Sequence, residues 1–510
     1  MTRREFIVGA AASGAATAWG GATAGARRPG YEGEEATARG AKPKLRVGIL
    51  SDAHCRNLET GFRLFEAAKV DAVLLTGDMF LFSTVTELED VARAWFKVFP
   101  DDRRSDGTKV ERLFVTGNHD EIDWCRPFAS WDDLVARSMR FNRETAWKRL
   151  FGEDYEKIRL KEVKGYKFVL RHWLCRGRTE FGRAIPAEAD VTPAFMAAHA
   201  AELHAERKPF FYMQHEPVTD TVNCSWLLGG GKWDVGCIDR GERKIFDRFP
   251  NCIALTGHSH ETLTDEKSIW QGAFTAVNCS CAHGHLFTPP GRENGRNADH
   301  DLKRKPPMEM ESIDRWQSPQ GLVMDVTDDE VRFRRLDILK NEPVGPDWVV
   351  PLFADGATVP PAGTPKYDFK ARKAASKPPT FAPDAKVTVT HIKDGHYRKF
   401  GSLEKGLEMS ETHEQVKVAF PTITTANSPT RAYDFAVRCE VAAGDVVRTA
   451  CESRVFSPHF AMGERWDSGE AWCLFPAAAI PTGRGLCVRF VVTPYDCWGN
   501  AGKPLASAWR

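Results

Sequence analysis

From Leu45 onward the chain alternates short apolar runs with amphipathic stretches, and this constrains its fold more than any other feature. Leu45 to Leu50 reads as a strand, Leu58 to Lys69 as a helix and Ala72 to Leu75 as a strand. Val85 to Phe99 then reads as a helix and Leu113 to Val115 as a strand. The pattern predicts an α/β architecture with buried, largely parallel strands. Ile158 to His172 reads as a hairpin turning at Lys164-Gly165, Pro193 to Arg207 as a helix, and Phe210 to Met213 and Ile253 to Leu255 as strands. Leu322 to Val326 and Val331 to Leu336 form a closing hairpin through Thr327-Asp328-Asp329.

Two stretches break the pattern. Residues 286 to 318, with Pro289-Pro290 and Pro306-Pro307, read as a long surface loop. Residues 341 to 384 are proline-rich with little periodicity and read as an extended linker packed along the surface. β-type segments follow at Val387 to Ile392, Val416 to Phe420, Tyr433 to Val441, Val446 to Val455 and Leu486 to Val492. Short strands separated by turn residues predict a second, all-β sandwich.

Composition removes some functions. The 510 residues carry 70 Lys+Arg against 69 Asp+Glu, which is not the footprint of a non-specific nucleic-acid binder. No apolar run approaches the roughly 20 residues that span a bilayer, so no transmembrane bundle is expected. The 13 cysteines are odd in number and contain no Cys-x-x-Cys pair, so a zinc finger has no support. Cys439 and Cys451 flank a hairpin and are the candidate disulfide, with buried apolar thiols as the equal alternative.

The chemistry lies where predicted strands end. Asp52-Ala53-His54 follows the first strand, Gly77-Asp78 the second and Gly117-Asn118-His119-Asp120 the third. His215 follows the Phe-rich strand, and Gly257-His258-Ser259-His260 the next. Ligands of open α/β sheets bind at the carboxyl ends of strands, so these motifs project carboxylates, an amide and imidazoles into one crevice. Singly, each is ordinary turn chemistry; their joint order after successive apolar strands is not. Mixed nitrogen and oxygen ligation suits Zn, Mn or Fe rather than Ca.

Taken together, Asp52-x-His54, Gly77-Asp78, Gly117-Asn118-His119-Asp120, His215 and Gly257-His258-x-His260 resemble the signature of the calcineurin-like metallophosphoesterase superfamily over about residues 45 to 339. The resemblance implies a four-layer α/β/β/α sandwich of two mixed sheets with helices outside. It implies one metal on Asp52, His54 and His260, a second on Asn118, His215 and His258, and Asp78 bridging them. It further implies a metal-bridging hydroxide as nucleophile, His119 near the leaving group, and Asp120 orienting His119. Purple acid phosphatases carry a Tyr three residues after the bridging Asp and lack a His at the place of His54. Here that Tyr position is Leu81, so a charge-transfer ferric site is not expected and the two transition-metal ions stay open among Mn, Zn and Fe.

The first residues resemble a twin-arginine signal peptide: Arg3-Arg4 before Phe6, a weakly apolar Ala- and Gly-rich run, and small residues at Ala24-Gly25-Ala26. The resemblance implies a bacterial protein exported folded through the Tat machinery to the periplasm or cell envelope. The expected organisation is a signal peptide over 1–26, a linker over 27–43, the metallophosphoesterase domain over 44–340, a Pro-rich linker over 341–384 and a β-sandwich over 385–510. Tyr495-Asp496-Cys497-Trp498-Gly499-Asn500 resembles the last strand and turn of fibronectin type III-like modules.

Several residues stand at the margin. His283-Gly284-His285 reads first as a solvated turn, and otherwise as cleft lining or a third metal position. His172 reads first as structural and otherwise as facing the crevice, Arg56 and Arg126 as either phosphate-binding or surface-paired, and Trp124, Trp226 and Trp233 first as packing and otherwise as stacking on a base or sugar. The expected function is an exported, binuclear metal-dependent hydrolase of phosphate mono- or diesters. The alternative is a non-catalytic, metal-stabilised scaffold of the same fold, against which His119 and Asp120 argue, since a scaffold needs neither.

Overall fold

The computed structural model describes residues 42–81, 83–121, 143–174, 176–180, 183–205, 207–223, 225, 241–284, 318–395, 398–400, 407–409, 413–425, 428–457 and 469–510. The expected signal peptide, most of the 27–43 linker, nearly all of the 286–318 loop, and Trp124, Arg126, Trp226, Trp233 and His285 lie outside the described residues.

The first sheet is built from β1 (Leu45–Leu50), β2 (Ala72–Thr76) and β3 (Glu111–Val115), which run parallel. Between them lie α1 (Leu58–Ala67) and α2 (Val85–Val98), and the short α3 (Asn118–Glu121) and α4 (Arg143–Phe151) follow β3. α1 stops before Lys69 because that residue takes a left-handed φ of 56°. α2 starts at a capping box in which Thr84 and Glu87 satisfy each other's backbone N–H.

The second sheet uses β4 (Ile158–Val163), β5 (Tyr166–Arg171), β6 (Phe210–Met213), β7 (Cys252–Thr256), β8 (Ile269–Gln271) and β9 (Thr275–Asn278), in the order β8-β9-β7-β6-β5-β4. β5, β6, β7 and β9 are parallel, and the outer strands β4 and β8 are antiparallel. Helices α5 (Thr192–Ala205) and α6 (Glu242–Phe246) belong to this half. The antiparallel pair β10 (Gln320–Val326) and β11 (Glu330–Asp337) returns to the first sheet beside β1.

Three apolar layers separate four layers of secondary structure. Val47, Ile49, Leu74 and Leu113 of the first sheet meet Phe168, Phe211, Met213 and Leu255 of the second between the sheets. Phe62, Phe65, Trp95 and Trp147 cover the outer face of the first sheet. Met196, Leu203 and Phe246 cover that of the second. Alternate residues of the central strands thus enter different cores, which is why these strands are apolar throughout. This is the expected α/β/β/α metallophosphoesterase fold, with sheets that are mixed rather than largely parallel.

Within the expected linker, β12 (Glu342–Pro343) and β13 (Trp348–Pro351) extend the first sheet by pairing with β11, and Phe369–Ala375 forms α7. Two larger sheets follow, besides a two-stranded pair of Arg398–Phe400 with Leu407–Met409. β14 (Thr388–Gly395), β15 (His413–Pro421) and β18 (Glu470–Pro476) form one, in the order β14-β15-β18. The other has the order β17-β16-β19-β20, from β16 (Asp434–Ala443), β17 (Val446–Phe456), β19 (Leu486–Tyr495) and β20 (Leu505–Ala506). Val418, Phe420, Phe435, Val437, Phe475 and Phe490 make one core between them. Cys439 and Cys451 stand directly opposite across β16 and β17, both as free thiols. No helix among the described residues is long and apolar enough to cross a membrane.

Candidate metal centre

Each parallel strand that ends at the crevice delivers part of the site. Asp52 and His54 follow β1, Asp78 follows β2, and Asn118 opens α3 after β3. His215 follows β6, while His258 and His260 follow β7. The structure brings all seven of these sequence-predicted residues together. Donor atoms fall within 4.8 Å of one another in three groups: Asp52, His54 and His260; His54, Asp78 and His119; Asp78, His215 and His258. Asn118 joins them through Oδ1, 3.1 Å from Nε2 of His215.

The turns that carry these side chains are unusual. Asp52, His54, Asp78, His258 and His260 have φ between 44° and 68°, the left-handed region. For residues with a Cβ this costs about 1–3 kcal/mol each, and such conformations cluster at functional sites. Two glycines make room. A Cβ on Gly117 would overlap Oδ1 of Asp78, and one on Gly257 would lie 2.5 Å from Oδ2 of Asp52.

Backbone carbonyls set the imidazole tautomers. Nδ1 of His54 lies 3.0 Å from the Phe80 carbonyl, and Nδ1 of His215 2.8 Å from that of Thr76. A carbonyl only accepts, so Nδ1 carries the proton and Nε2 turns toward the crevice, as second-shell partners of metal-binding histidines do. Nε2 of His54 then faces Nε2 of His260 at 3.4 Å, and Nδ1 of His258 faces Nε2 of His215 at 3.2 Å. Oδ1 of Asp52 is buried and accepts no hydrogen bond; it faces Nε2 of His260 at 3.1 Å and that of His215 at 3.9 Å. Ring nitrogens facing one another beside an unsatisfied carboxylate oxygen are the donor set a cation satisfies. The residues present therefore fit the transition-metal ions expected from the sequence.

Electrostatics point the same way. Burial pushes His54 and His258 down to about 4, so both stay neutral and keep a lone pair for a ligand. Burial also opposes the charge on His215, but Asp78 and Asp52 raise it to about 10. His260, whose charge burial also opposes, is likewise raised well above the usual imidazole range, so protons on His215 and His260 balance these carboxylates. Burial pushes Asp78 up, yet His215, His119 and His54 hold it well below the usual carboxylate range.

His119 and Asp120 take distinct places. The His119 backbone N–H donates to Oδ1 of Asp78 at 2.8 Å, and Nδ1 of its ring lies 3.1 Å from the Leu81 carbonyl. The ring stacks edge-on to His54, with centroids 4.7 Å apart. Asp120 is fully buried, and its two oxygens accept from the backbone N–H groups of Phe80 and Gly117, each at 2.8 Å. Burial, then the Asp78 charge, raise its pKa well above the usual carboxylate range. The ring contact runs to Leu81, and Asp120 ties the loop after β2 to the loop after β3.

Several neighbours were not legible in the sequence. Ser51 donates to Oδ2 of Asp52 at 2.5 Å, and the His258 N–H to the same oxygen at 2.9 Å. Trp173 Nε1 donates to buried Glu216, next to His215. A serine before an aspartate and a glutamate after a histidine are too common to signal anything alone. His172 is structural: its Nδ1 accepts from the Thr116 N–H at 3.0 Å, and its ring stacks on Tyr155 at 4.1 Å. Arg56 is exposed on the loop after His54.

The calcineurin-like phosphoesterase family matches residues 45–262. No curated protein sequence matches the chain. Among solved structures, a predicted phosphoesterase from Streptococcus pneumoniae is 13% identical with a TM-score of 0.25, covering 60% of this chain and 97% of its own. A purple acid phosphatase from yellow lupin (Lupinus luteus) seeds is 11% identical with a TM-score of 0.37, covering 60% of this chain and 54% of its own. GAP50, the anchor in the inner membrane complex of Plasmodium, is 9% identical with a TM-score of 0.30, covering 61% of this chain and 89% of its own. The strand-end ligands, the four-layer fold and the family match converge: residues 45–262 form a calcineurin-like phosphoesterase domain with a candidate metal-binding site at Asp52, His54, Asp78, His215, His258 and His260.

Proposed function

We propose that the protein hydrolyses a phosphate ester with two transition-metal ions, drawn from Mn, Zn and Fe. Asp52, His54 and His260 would hold one and Asn118, His215 and His258 the other, with Asp78 within reach of both groups. The observation that carries this reading is the buried, unsatisfied Oδ1 of Asp52 among inward-facing imidazole nitrogens. When bound, the ions supply hydroxide near neutral pH and offset the charge of a phosphoryl group.

The chain's own groups do the rest. Ser51 and the His258 N–H orient Asp52, and the carbonyls of Phe80 and Thr76 hold His54 and His215. His119, half-buried beside His54 and fixed at Nδ1 by Leu81, offers Nε2 to the departing oxygen, where a hydrogen bond or proton stabilises the leaving alkoxide. Asp120 keeps the loops of Asp78 and Asn118 in register through Phe80 and Gly117.

The deciding experiment is metal analysis of the purified protein coupled to hydrolysis of paired aryl phosphate mono- and diesters. Asp78→Asn and His215→Ala are expected to abolish turnover; undiminished turnover in both overturns the assignment. Tight metal binding with no turnover of any ester after Mn, Zn and Fe reconstitution would identify a scaffold instead. The Arg3-Arg4 start supports export of the folded protein to the periplasm or cell envelope, which cell fractionation tests.

A further inference from the structure

His283 belongs to none of the metal-ligating groups, yet it is built into the same crevice. Its backbone N–H donates to the Asp52 carbonyl at 3.0 Å. The preceding residues are stitched to the same loop: the Ala282 N–H donates to Ser51, Asn57 Nδ2 donates to the Ala282 carbonyl at 2.8 Å, and the Cys281 thiol donates to the Asp52 carbonyl at 3.3 Å. Four hydrogen bonds therefore fix the segment 281–283 against the loop that carries Asp52 and His54. The His283 ring stands edge-on to His54, with centroids 5.4 Å apart at 83°, the same interplanar angle His119 makes with His54. His54 itself is buried, whereas His283 is half-exposed, so its ring lies between a metal ligand and solvent. A solvated turn would not need this much anchoring.

We propose that His283 contacts the substrate: its imidazole donates a hydrogen bond to a phosphoryl oxygen held at the metal centre, beside His54. This rests on the phosphoesterase reading of the site and adds a recognition residue to it. A ring N–H to an anionic oxygen is a charge-assisted bond, and the rigid backbone of residues 281–283 pre-positions it. His119 serves the departing oxygen, so His283 is assigned to an oxygen retained on phosphorus. Orthophosphate, which keeps those oxygens and has no leaving group, is therefore the suitable probe.

The test uses the full-length, metal-loaded protein with His283→Ala and His283→Gln. Metal content is measured by elemental analysis, orthophosphate affinity by calorimetry, and kcat and KM on aryl phosphates. Expected for His283→Ala are unchanged metal content and an orthophosphate Kd weakened about tenfold, the loss of one hydrogen bond to a charged oxygen. His283→Gln, which keeps an N–H donor, recovers part of that affinity. An unchanged Kd in His283→Ala overturns the proposal. So does a loss of metal, which would make His283 a support for the ligands. Wild-type protein that binds metal but no orthophosphate also overturns it, whereas wild-type protein that binds no metal fails the broader reading first.

Discussion

Arg372 places its guanidinium 2.6 Å from the carboxylate of Glu266, whose other oxygen lies 2.8 Å from the guanidinium of Arg335. Glu266 follows the loop of His258 and His260, Arg335 lies on β11, and Arg372 lies on α7. One carboxylate thus joins the second sheet, the first sheet and the segment beyond them. Burial pushes Glu266 up, but Arg335 and Arg372 hold it down to about 2. A carboxylate depressed on folding stabilises the protein fully above its unfolded pKa and loses that contribution as pH falls through the folded value. Glu266→Gln is expected to lower stability at pH 7 by about 2 kcal/mol. The gap in melting temperature between wild type and variant should close between about pH 4.5 and pH 2. A gap constant across that window would show that the pair contributes nothing through its charge.

Metal removal gives a second outcome. The imidazole nitrogens of His54 and His260 face each other at 3.4 Å, and Oδ1 of Asp52 has no hydrogen bond, so these groups favour a bound cation. A ligand that binds only the folded state at 100 times its Kd adds about 2.7 kcal/mol. Chelation followed by dialysis is expected to lower the melting temperature, and Mn or Zn should restore it. Calorimetric scans of the two forms check this. Identical melting temperatures would mean that the site holds no ion.

The glycines offer a third. A Cβ at position 117 would overlap Oδ1 of Asp78, the oxygen that also receives the His119 N–H. Gly117→Ala must displace Asp78, His119 or both. Metal affinity is expected to fall at least about 10–100-fold, the range seen when ligand-supporting groups are lost. The fold should persist, because the substitution lies in a loop beyond β3. Elemental analysis and circular dichroism on one sample separate the two effects. Retained metal would show that Asp78 can move without leaving the site.

How far the sequence discloses all this depends on what kind of group does the work. Asp52, His54, Asp78, Asn118, His215, His258 and His260 are legible because polar side chains follow apolar runs, and the strand ends then set their place. The supports of His215, His54 and His119 at Thr76, Phe80 and Leu81 act through backbone carbonyls, which every residue possesses. Asp120 is legible as a residue and not as a role, since only coordinates show its oxygens on Phe80 and Gly117. Trp348–Pro351 reads as linker because prolines surround it. Those prolines are tolerated because the strand pairs with β11 and no other named strand. The place of β18, which carries no β-branched residue, follows from its pairing with β15.

The C-terminal sheets raise the last prediction. α7 touches the turn after β19 at several points: Ser376 donates to Asp496 at 2.7 Å, Asn500 donates to the Lys373 carbonyl at 3.1 Å, and Phe369 meets Trp498 with centroids 5.4 Å apart. Arg372 lies over the same Trp498 ring at 5.0 Å while it holds Glu266. Arg431, just before β16, donates to the Thr264 carbonyl, four residues beyond His260. These contacts make residues 385–510 part of the structure that supports the loop after β7. Trp498→Ala is expected to cost about 1–2 kcal/mol through the lost aromatic and cation–π contacts. Deletion of 385–510 should lower the melting temperature further and reduce metal affinity together with it. Calorimetry and metal titration of the truncated protein check both quantities. A truncated chain that melts and binds metal as the whole one does would instead make residues 385–510 a separable module, and its role would then lie in attachment to another surface.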